Sequence, residues 1–297
     1  MKRLISCYAS DLKNISKEDL KIAISSSEGR TILAETVVTA APLLEGVSNA
    51  EVMATFGADL IVLNEFDVYT QFINGFYPCE NPIAEIKKLT GRPIGINLEP
   101  VDETLDVLDE KIVIAKGRKA SIDTFKKANE LGVDFIMLTG NPSTAVSMEA
   151  IKKAIVLAKD HFNGLIFAGK MHGAGLSENI IDVDMLTAFI HAGADGILIP
   201  SVSTVPFVTE SLAFAASQEI KKLGGLVMST IGTSQESADE QTIRSFGLSN
   251  KRIGADIHHI GDGGYGRMPL PENIMALSIA VRGKRHTYFK MAQSVVR

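Results

Sequence analysis

The sequence predicts an α/β fold, a (β/α)8 TIM barrel with a short N-terminal helical extension, on three observations. Eight short apolar, β-rich runs recur at residues 31–35, 59–64, 93–98, 134–138, 164–168, 195–199, 225–229 and 256–260. Successive runs lie about 30 to 40 residues apart, the length of one βα unit. Four of them follow nearly the same phrase: Phe56-Gly57-Ala58-Asp59, Leu131-Gly132-Val133-Asp134, Ala192-Gly193-Ala194-Asp195 and Ile253-Gly254-Ala255-Asp256.

Each element has a local reason. The glycine of each phrase can take the left-handed turn that ends a helix, after which the next strand begins. Helical periodicity covers residues 121–131, 147–160, 182–192 and 209–223. Near-continuous apolar strands suit a parallel sheet covered on both faces. Eight such units close most simply into a barrel, with an open doubly wound sheet as the alternative. Ahead of the first strand, Ser16 and Asp19 form a capping-box pattern that opens a short helix, expected to cover the bottom of the barrel. The chain thus reads as one domain over residues 1–297, with 1–29 as the helical extension and 30–297 as the barrel. Two connections after strands are long. Residues 65–81 carry Phe66, Tyr69, Phe72, Phe76 and Tyr77, and residues 99–119 are acidic first and basic later. Each suits a lid or an oligomer contact.

Bulk properties narrow the function classes. Hydrophobic content of 45% and charged content of 22% allow a large core, and a net charge of -5 draws the chain neither to nucleic acid nor to anionic membranes. No signal peptide or membrane span can be drawn, so a cytoplasmic location is expected. Cys7 and Cys79 make neither a disulfide framework nor a zinc set.

Barrel active sites sit at the carboxyl ends of the strands, so side-chain parity decides which residues reach the site. In the third strand Ile94, Ile96 and Leu98 suit the helix layer, leaving Gly95, Asn97 and Glu99 inside. In the fifth, Leu165 and Phe167 are assigned to the helix layer by bulk, leaving Ile166, Ala168 and Lys170 inside. By the same test Leu33 and Glu35, Val62 and Asn64, and Asp256 and His258 face the axis, and His259 faces outward. The expected ring is Glu35, Asn64, Asn97, Glu99, Lys170 and His258, with His172 and Asp262 just beyond. Carboxylates, a lysine and histidines sharing one concavity perturb one another's pKa values, as acid–base chemistry requires.

Two loops carry anion-binding signals. Gly232, Thr233 and Ser234 follow the seventh strand, and Gly261, Asp262, Gly263 and Gly264 follow the eighth. Glycines and hydroxyls there let backbone N–H groups approach a phosphate, although a tight turn before the last helix explains Gly263 and Gly264 equally. A third loop, 139–144, leads into a helix with Ser143 or Thr144 as the expected N-cap. Other chemistry is missing: no His-x-His ends the first strand, and no Gly-x-Ser-x-Gly elbow, HExxH pair or dinucleotide fingerprint occurs.

The phrases Ser27-Glu28-Gly29-Arg30-Thr31, Gly95-Ile96-Asn97-Leu98-Glu99-Pro100-Val101, Leu138-Thr139-Gly140-Asn141-Pro142-Ser143-Thr144 and Gly261-Asp262-Gly263-Gly264 carry a resemblance over nearly the whole chain. It resembles a bacterial TIM-barrel family without an established reaction, whose members are often labelled haloacid dehalogenase-like hydrolase. That label implies a nucleophilic Asp in a D-x-D-x-[TV] pattern. The nearest match, Asp182-Val183-Asp184-Met185-Leu186, lacks the final Thr or Val and starts a helix. In general shape the chain is also similar to aldolase-type phosphate-binding barrels, by analogy of fold.

Three functional expectations follow. The leading one is a lyase, aldolase or isomerase acting on a small phosphorylated or otherwise anionic metabolite. Lys170 would be a Schiff-base former or a cation beside an oxyanion, Glu35 or Glu99 would move the proton, and His172 or His258 would be the second acid–base group. Asn64, Asn97 and the two loops would hold the substrate. A plain ion pair of Lys170 with Glu35 or Glu99 is the structural alternative. The second expectation is a metal-dependent hydrolase holding Mn, Fe or Zn on Glu35, Glu99 and His258 or His172, so the cofactor is either none or a divalent metal. The third is a non-catalytic small-molecule binding protein, and a homo-oligomer is compatible with all three.

Overall fold

The computed structural model describes residues 2–105, 112–173, 176–261 and 267–297. Eight parallel strands close on one another in chain order: β1 (Thr31–Val37), β2 (Leu60–Asn64), β3 (Ile94–Asn97), β4 (Phe135–Leu138), β5 (Leu165–Gly169), β6 (Gly196–Pro200), β7 (Leu226–Ile231) and β8 (Ile257–Ile260). Closure is made by Thr31–Ala34 of β1 pairing with Ile257–Ile260 of β8. Helices alternate with the strands: α1 (Ala9–Leu12) and α2 (Lys17–Ser25) precede β1, followed by α3 (Asn49–Thr55), α4 (Pro82–Thr90), α5 (Ile122–Leu131), α6 (Met148–His161), α7 (Val183–Ala192), α8 (Glu210–Lys222), α9 (Glu240–Arg252) and α10 (Pro271–Met291). The four helices expected from periodicity open on their expected first residues, Ser121, Ser147, Asp182 and Thr209, each accepting a backbone N–H with its side chain. Asp182, the first residue of the D-x-D match, is thereby a helix cap.

Ser16 caps α2 through the N–H of Asp19 at 3.1 Å. Leu4, Leu20 and Ile24 of the N-terminal segment pack with Leu60 and Leu226 in the cluster that fills the bottom of the barrel. The chain end is tied to the same place. Lys290 of α10 is buried and donates to the carbonyl of Cys7 at 3.1 Å, while Arg92 donates to the carbonyl of Lys290 at 3.0 Å.

The four repeated phrases do more than end helices. Gly57, Gly132, Gly193 and Gly254 all have positive φ. Each following aspartate then accepts the backbone N–H of a residue at the start of the preceding odd strand: Asp59 from Ile32, Asp134 from Ile94, Asp195 from Ile166 and Asp256 from Val227, at 2.7–3.0 Å. Every one also has a cation: Arg282 on Asp59, Lys87 on Asp134, Lys17 on Asp195 and Lys221 on Asp256. The barrel is thus stitched at its amino-terminal rim in four two-strand units. Four helix-stop phrases in sequence mark four strand-pair locks in space.

Candidate active site

Two side-chain layers decide what reaches the mouth. Leu33, Val62, Phe135, Met137, Phe167 and Met228 pack together in the barrel interior, whereas Ile94, Ile96, Ile136, Ile166, Ala168 and Val227 pack in the helix layer. The third-strand parity is as expected, but two strands are reversed. In β5, Leu165 and Phe167 lie inside and Ile166 and Ala168 outside. Bulk misleads there because glycines opposite make room. Phe167 meets Phe135 edge-on at 5.9 Å, and a Cβ on Gly95 or Gly196 would lie 2.2 Å from Phe135 or 2.7 Å from Phe167. In β8, His258 turns outward and bonds the carbonyl of Gly29 at 2.8 Å, while His259 enters the barrel. Asp256 shares the outward face because it serves Lys221 of α8 and the start of β7.

The interior is closed above by polar groups from several strands. Glu35, 2% exposed, takes a hydrogen bond from Asn97 Nδ2 on one oxygen and meets His259 Nε2 on the other, both at 2.6 Å. Strand β1 supplies Glu35, β3 supplies Asn97 and β8 supplies His259. With Nε2 as the hydrogen donor to the carboxylate, Nδ1 of His259 keeps its lone pair. Nδ1 and Asn97 Oδ1 are buried with no hydrogen-bond partner among the described residues.

A second cluster adjoins the first. Glu99, 1% exposed, receives Arg118 at 2.8 Å and both the backbone N–H and side-chain amide of Asn141 at 2.9 Å. Asn141 exchanges two further bonds with Asn64. Glu65 stands between Arg118 and Arg267 at 3.9 and 3.7 Å. Lys170 is 1% exposed; its ammonium is bonded to Glu178 at 2.8 Å and to the carbonyl of Gly173 at 3.0 Å. Its partner is therefore Glu178 and not Glu35 or Glu99. Burial pushes the Lys170 ammonium down and Glu178 pulls it back up. His172 is likewise pushed down, first by burial and then by Lys170, and it feels the charges of Glu35 and Glu99. Both residues thus belong to the same mouth.

Glu35, Asn64, Asn97, Glu99, Lys170 and His172 gather there, and His258 does not: its place is taken by His259. The metal set of Glu35, Glu99 and His258 is not assembled, since His258 lies behind the sheet. Among the described residues no three His, Cys, Asp or Glu side chains are placed to hold a metal ion. After β7, Gly232 packs on Met171, Ser234 is left-handed, and the Thr233 hydroxyl is engaged with the carbonyl of Thr204 and with Gln235. Gly261 donates its N–H to Ile231 at 2.8 Å. Asp262, Gly263 and Gly264 lie outside the described residues. In the loop after β4, Ser147 and not Ser143 or Thr144 caps the helix; Ser143 is left-handed and Thr144 donates to the carbonyl of Asn141.

The family described as Domain of unknown function (DUF7916) matches residues 5–297. The chain belongs to this family. No curated protein matches it. Among solved structures, the DUF7916 chain is similar to an archaeal fructose-1,6-bisphosphate aldolase, with TM-score 0.54, 13% identity, and 86% of this chain and 95% of that chain covered. It is also similar to a Schiff base forming fructose-1,6-bisphosphate aldolase, with TM-score 0.56, 13% identity and 86% and 96% covered. A third is 2,3-dimethylmalate lyase, a PEP mutase/isocitrate lyase superfamily member, with TM-score 0.52, 14% identity and 85% and 84% covered. At these identities the likeness is one of fold. Among the described residues of the DUF7916 chain, no helix is long and apolar enough to cross a membrane.

Arg118, Asn141 and His259, with Glu65, Glu178 and Arg267 around the mouth, are site residues that sequence parity does not find. Asn141 carries a signal in the sequence: it sits three residues past the end of β4, in the loop whose polar residues also suit a helix cap. Arg118 closes a long loop far in sequence from Glu99 and reaches it through the pairing of Glu99 with Lys119, which no local pattern encodes.

Proposed function

We propose that the DUF7916 barrel is a lyase-type enzyme, an aldolase, lyase or isomerase that moves a proton next to a carbonyl of a small anionic metabolite. The observation that carries this reading is the buried Asn97–Glu35–His259 cluster. A carboxylate and an imidazole 2.6 Å apart inside an apolar cylinder are a poor way to gain stability, because desolvating them offsets their attraction. They are a good way to make a base: Glu35 fixes the ring and its tautomer, and Nδ1 is left to accept a proton. The neighbours described as aldolases and lyases are in keeping with it.

The charge balance shapes the substrate class. Around the mouth Glu35, Glu65, Glu99 and Glu178 stand against Arg118, Arg267 and Lys170, so the described groups give no net positive field. Such a site suits a substrate with one acidic group, met by the half-buried edge of Arg118, better than a bisphosphate. Lys170 is the amine nucleophile in this reading: its burial favours the neutral form that adds to the substrate carbonyl, water leaves, and the resulting iminium is the electron sink. One of the fold neighbours is described with its catalytic Lys covalently bound to the carbinolamine intermediate of its substrate. Borohydride reduction in the presence of 2-oxo acids and sugar phosphates, followed by peptide mass spectrometry, tests it. The expected result is reduced adduct on Lys170. Adduct on another lysine, or none with a substrate that turns over, removes the imine step.

A further inference from the structure

Glu236 is a carboxyl that the acid–base cluster does not use. It lies in the short 3-10 turn Gln235–Ser237 after β7, at the same end of the barrel as His259. It is 0% exposed, and neither of its oxygens has a well-aligned hydrogen-bond partner among the described residues, the N–H groups that approach it being those of its own turn, Ser234 and Glu236. The backbone that carries it is firmly held: Asn273, at the start of α10, donates to the carbonyls of Glu236 and Ala238 at 2.8 Å, and Gln235 donates to the carbonyl of Thr204 at 3.1 Å. A rigid turn that carries a buried acid approached only by its own backbone, with no well-aligned partner, departs from the rule that buried polar groups are paired. The neighbouring imidazole of His259, near enough to interact with it electrostatically, also keeps a buried nitrogen unpaired. Both groups, one in the turn after β7 and the other on β8, lie at the end where barrels work.

We propose that Glu236 is a substrate-contacting residue whose carboxylic acid donates a hydrogen bond to the substrate oxygen on which negative charge builds, opposite the Glu35–His259 pair. Burial, the largest influence, pushes this carboxyl up, while the N–H groups of Glu236 and Ser234 pull it part of the way back. A neutral acid in an apolar setting is a strong donor to an oxyanion, and it adds no negative charge to a site already rich in carboxylates. No bond to Glu236 forms or breaks; the acid keeps its proton and polarises the carbonyl while His259 takes the proton from the adjacent atom. The role rests on the lyase-type reading and deepens it, by naming a carbonyl oxygen as the group the β7 loop recognises where the sequence alone pointed to phosphate.

Infrared difference spectroscopy of the full-length protein, wild type against Glu236→Gln, tests this directly. The expected result is the carbonyl stretch of a protonated carboxyl at neutral pH, lost in the variant, and displaced in the wild type when pyruvate or oxalate is added as a carbonyl or enolate probe. Absence of the band, or a band that neither probe displaces, overturns the proposal. If that variant does not fold, Glu236→Asp serves instead, and the band should persist at a shifted frequency. Failure of the lyase-type reading shows separately, as turnover that survives loss of Glu35 and His259.

Discussion

Two adjacent histidines show how much a single residue's surroundings decide. His258 and His259 are both fully buried, yet one meets a backbone carbonyl behind the sheet and the other a carboxylate within it. Burial pushes the His258 imidazole down to about 4, so in the folded state it stays neutral well below its ordinary value of 6.5. The unfolded chain takes up a proton at this residue as the pH falls through 6.5, and the folded chain does not until about 4. Stability is therefore complete above that window and is lost on acidification across it, by up to about 3 kcal/mol. Urea unfolding of wild type and His258→Gln at neutral pH and near pH 4.5 checks this. The variant should show a shallower acid loss, and equal losses would contradict the assignment. The pair also marks where sequence reading stops. Alternation places the two histidines on opposite faces, but not which face is which, and Asp256 suggested the wrong one.

At the scale of elements, the strands and most helices were legible because their signals are local: apolar runs, caps and left-handed glycines. The locks between strands were half legible. The repeated aspartates stand in plain view after each glycine, but their acceptance of a backbone N–H from another strand depends on register, which no single run contains. Parity in β5 failed for a related reason, since the room for Phe167 comes from Gly196 on a neighbouring strand. The four locks should differ in worth according to burial. Asp59 and its partner Arg282 are wholly buried, 2.5 Å apart, so Asp59→Asn leaves a cation stranded and should cost about 3 to 5 kcal/mol. Asp195 meets partly exposed Lys17 at 2.8 Å, and Asp195→Asn should cost about 1 to 2 kcal/mol. Chemical denaturation of the two variants side by side checks the order, and a reversal would show that the locks do not act through burial.

For the whole molecule, the proposed active site and the aspartate locks occupy opposite ends of one cylinder. The amino-terminal end is closed by the N-terminal helices, by the aspartate locks and by α10, whose buried Lys290, pushed down to about 8 by burial, holds the carbonyl of Cys7. The carboxyl-terminal end carries the Glu35–His259 pair, beside which Nδ1 of His259 and Oδ1 of Asn97 have no hydrogen-bond partner among the described residues. Ile24, fully buried in the bottom cluster, should therefore be worth about 2 to 4 kcal/mol when cut to alanine, and with no effect on turnover. Unfolding curves and rates measured on the same preparation check both halves of that statement. A fall in rate at unchanged folding would mean the two ends are coupled.

In the proposed reaction Glu35 and His259 together move a proton at a carbon beside a carbonyl. Incubating the protein with pooled 2-oxo acids and sugar phosphates in heavy water, and following deuterium uptake by mass spectrometry, tests it most directly. Wild type should label at least one metabolite at such a carbon, and Glu35→Gln and His259→Gln should each slow labelling by roughly 10²- to 10⁴-fold. Labelling at the wild-type rate in both variants would contradict it.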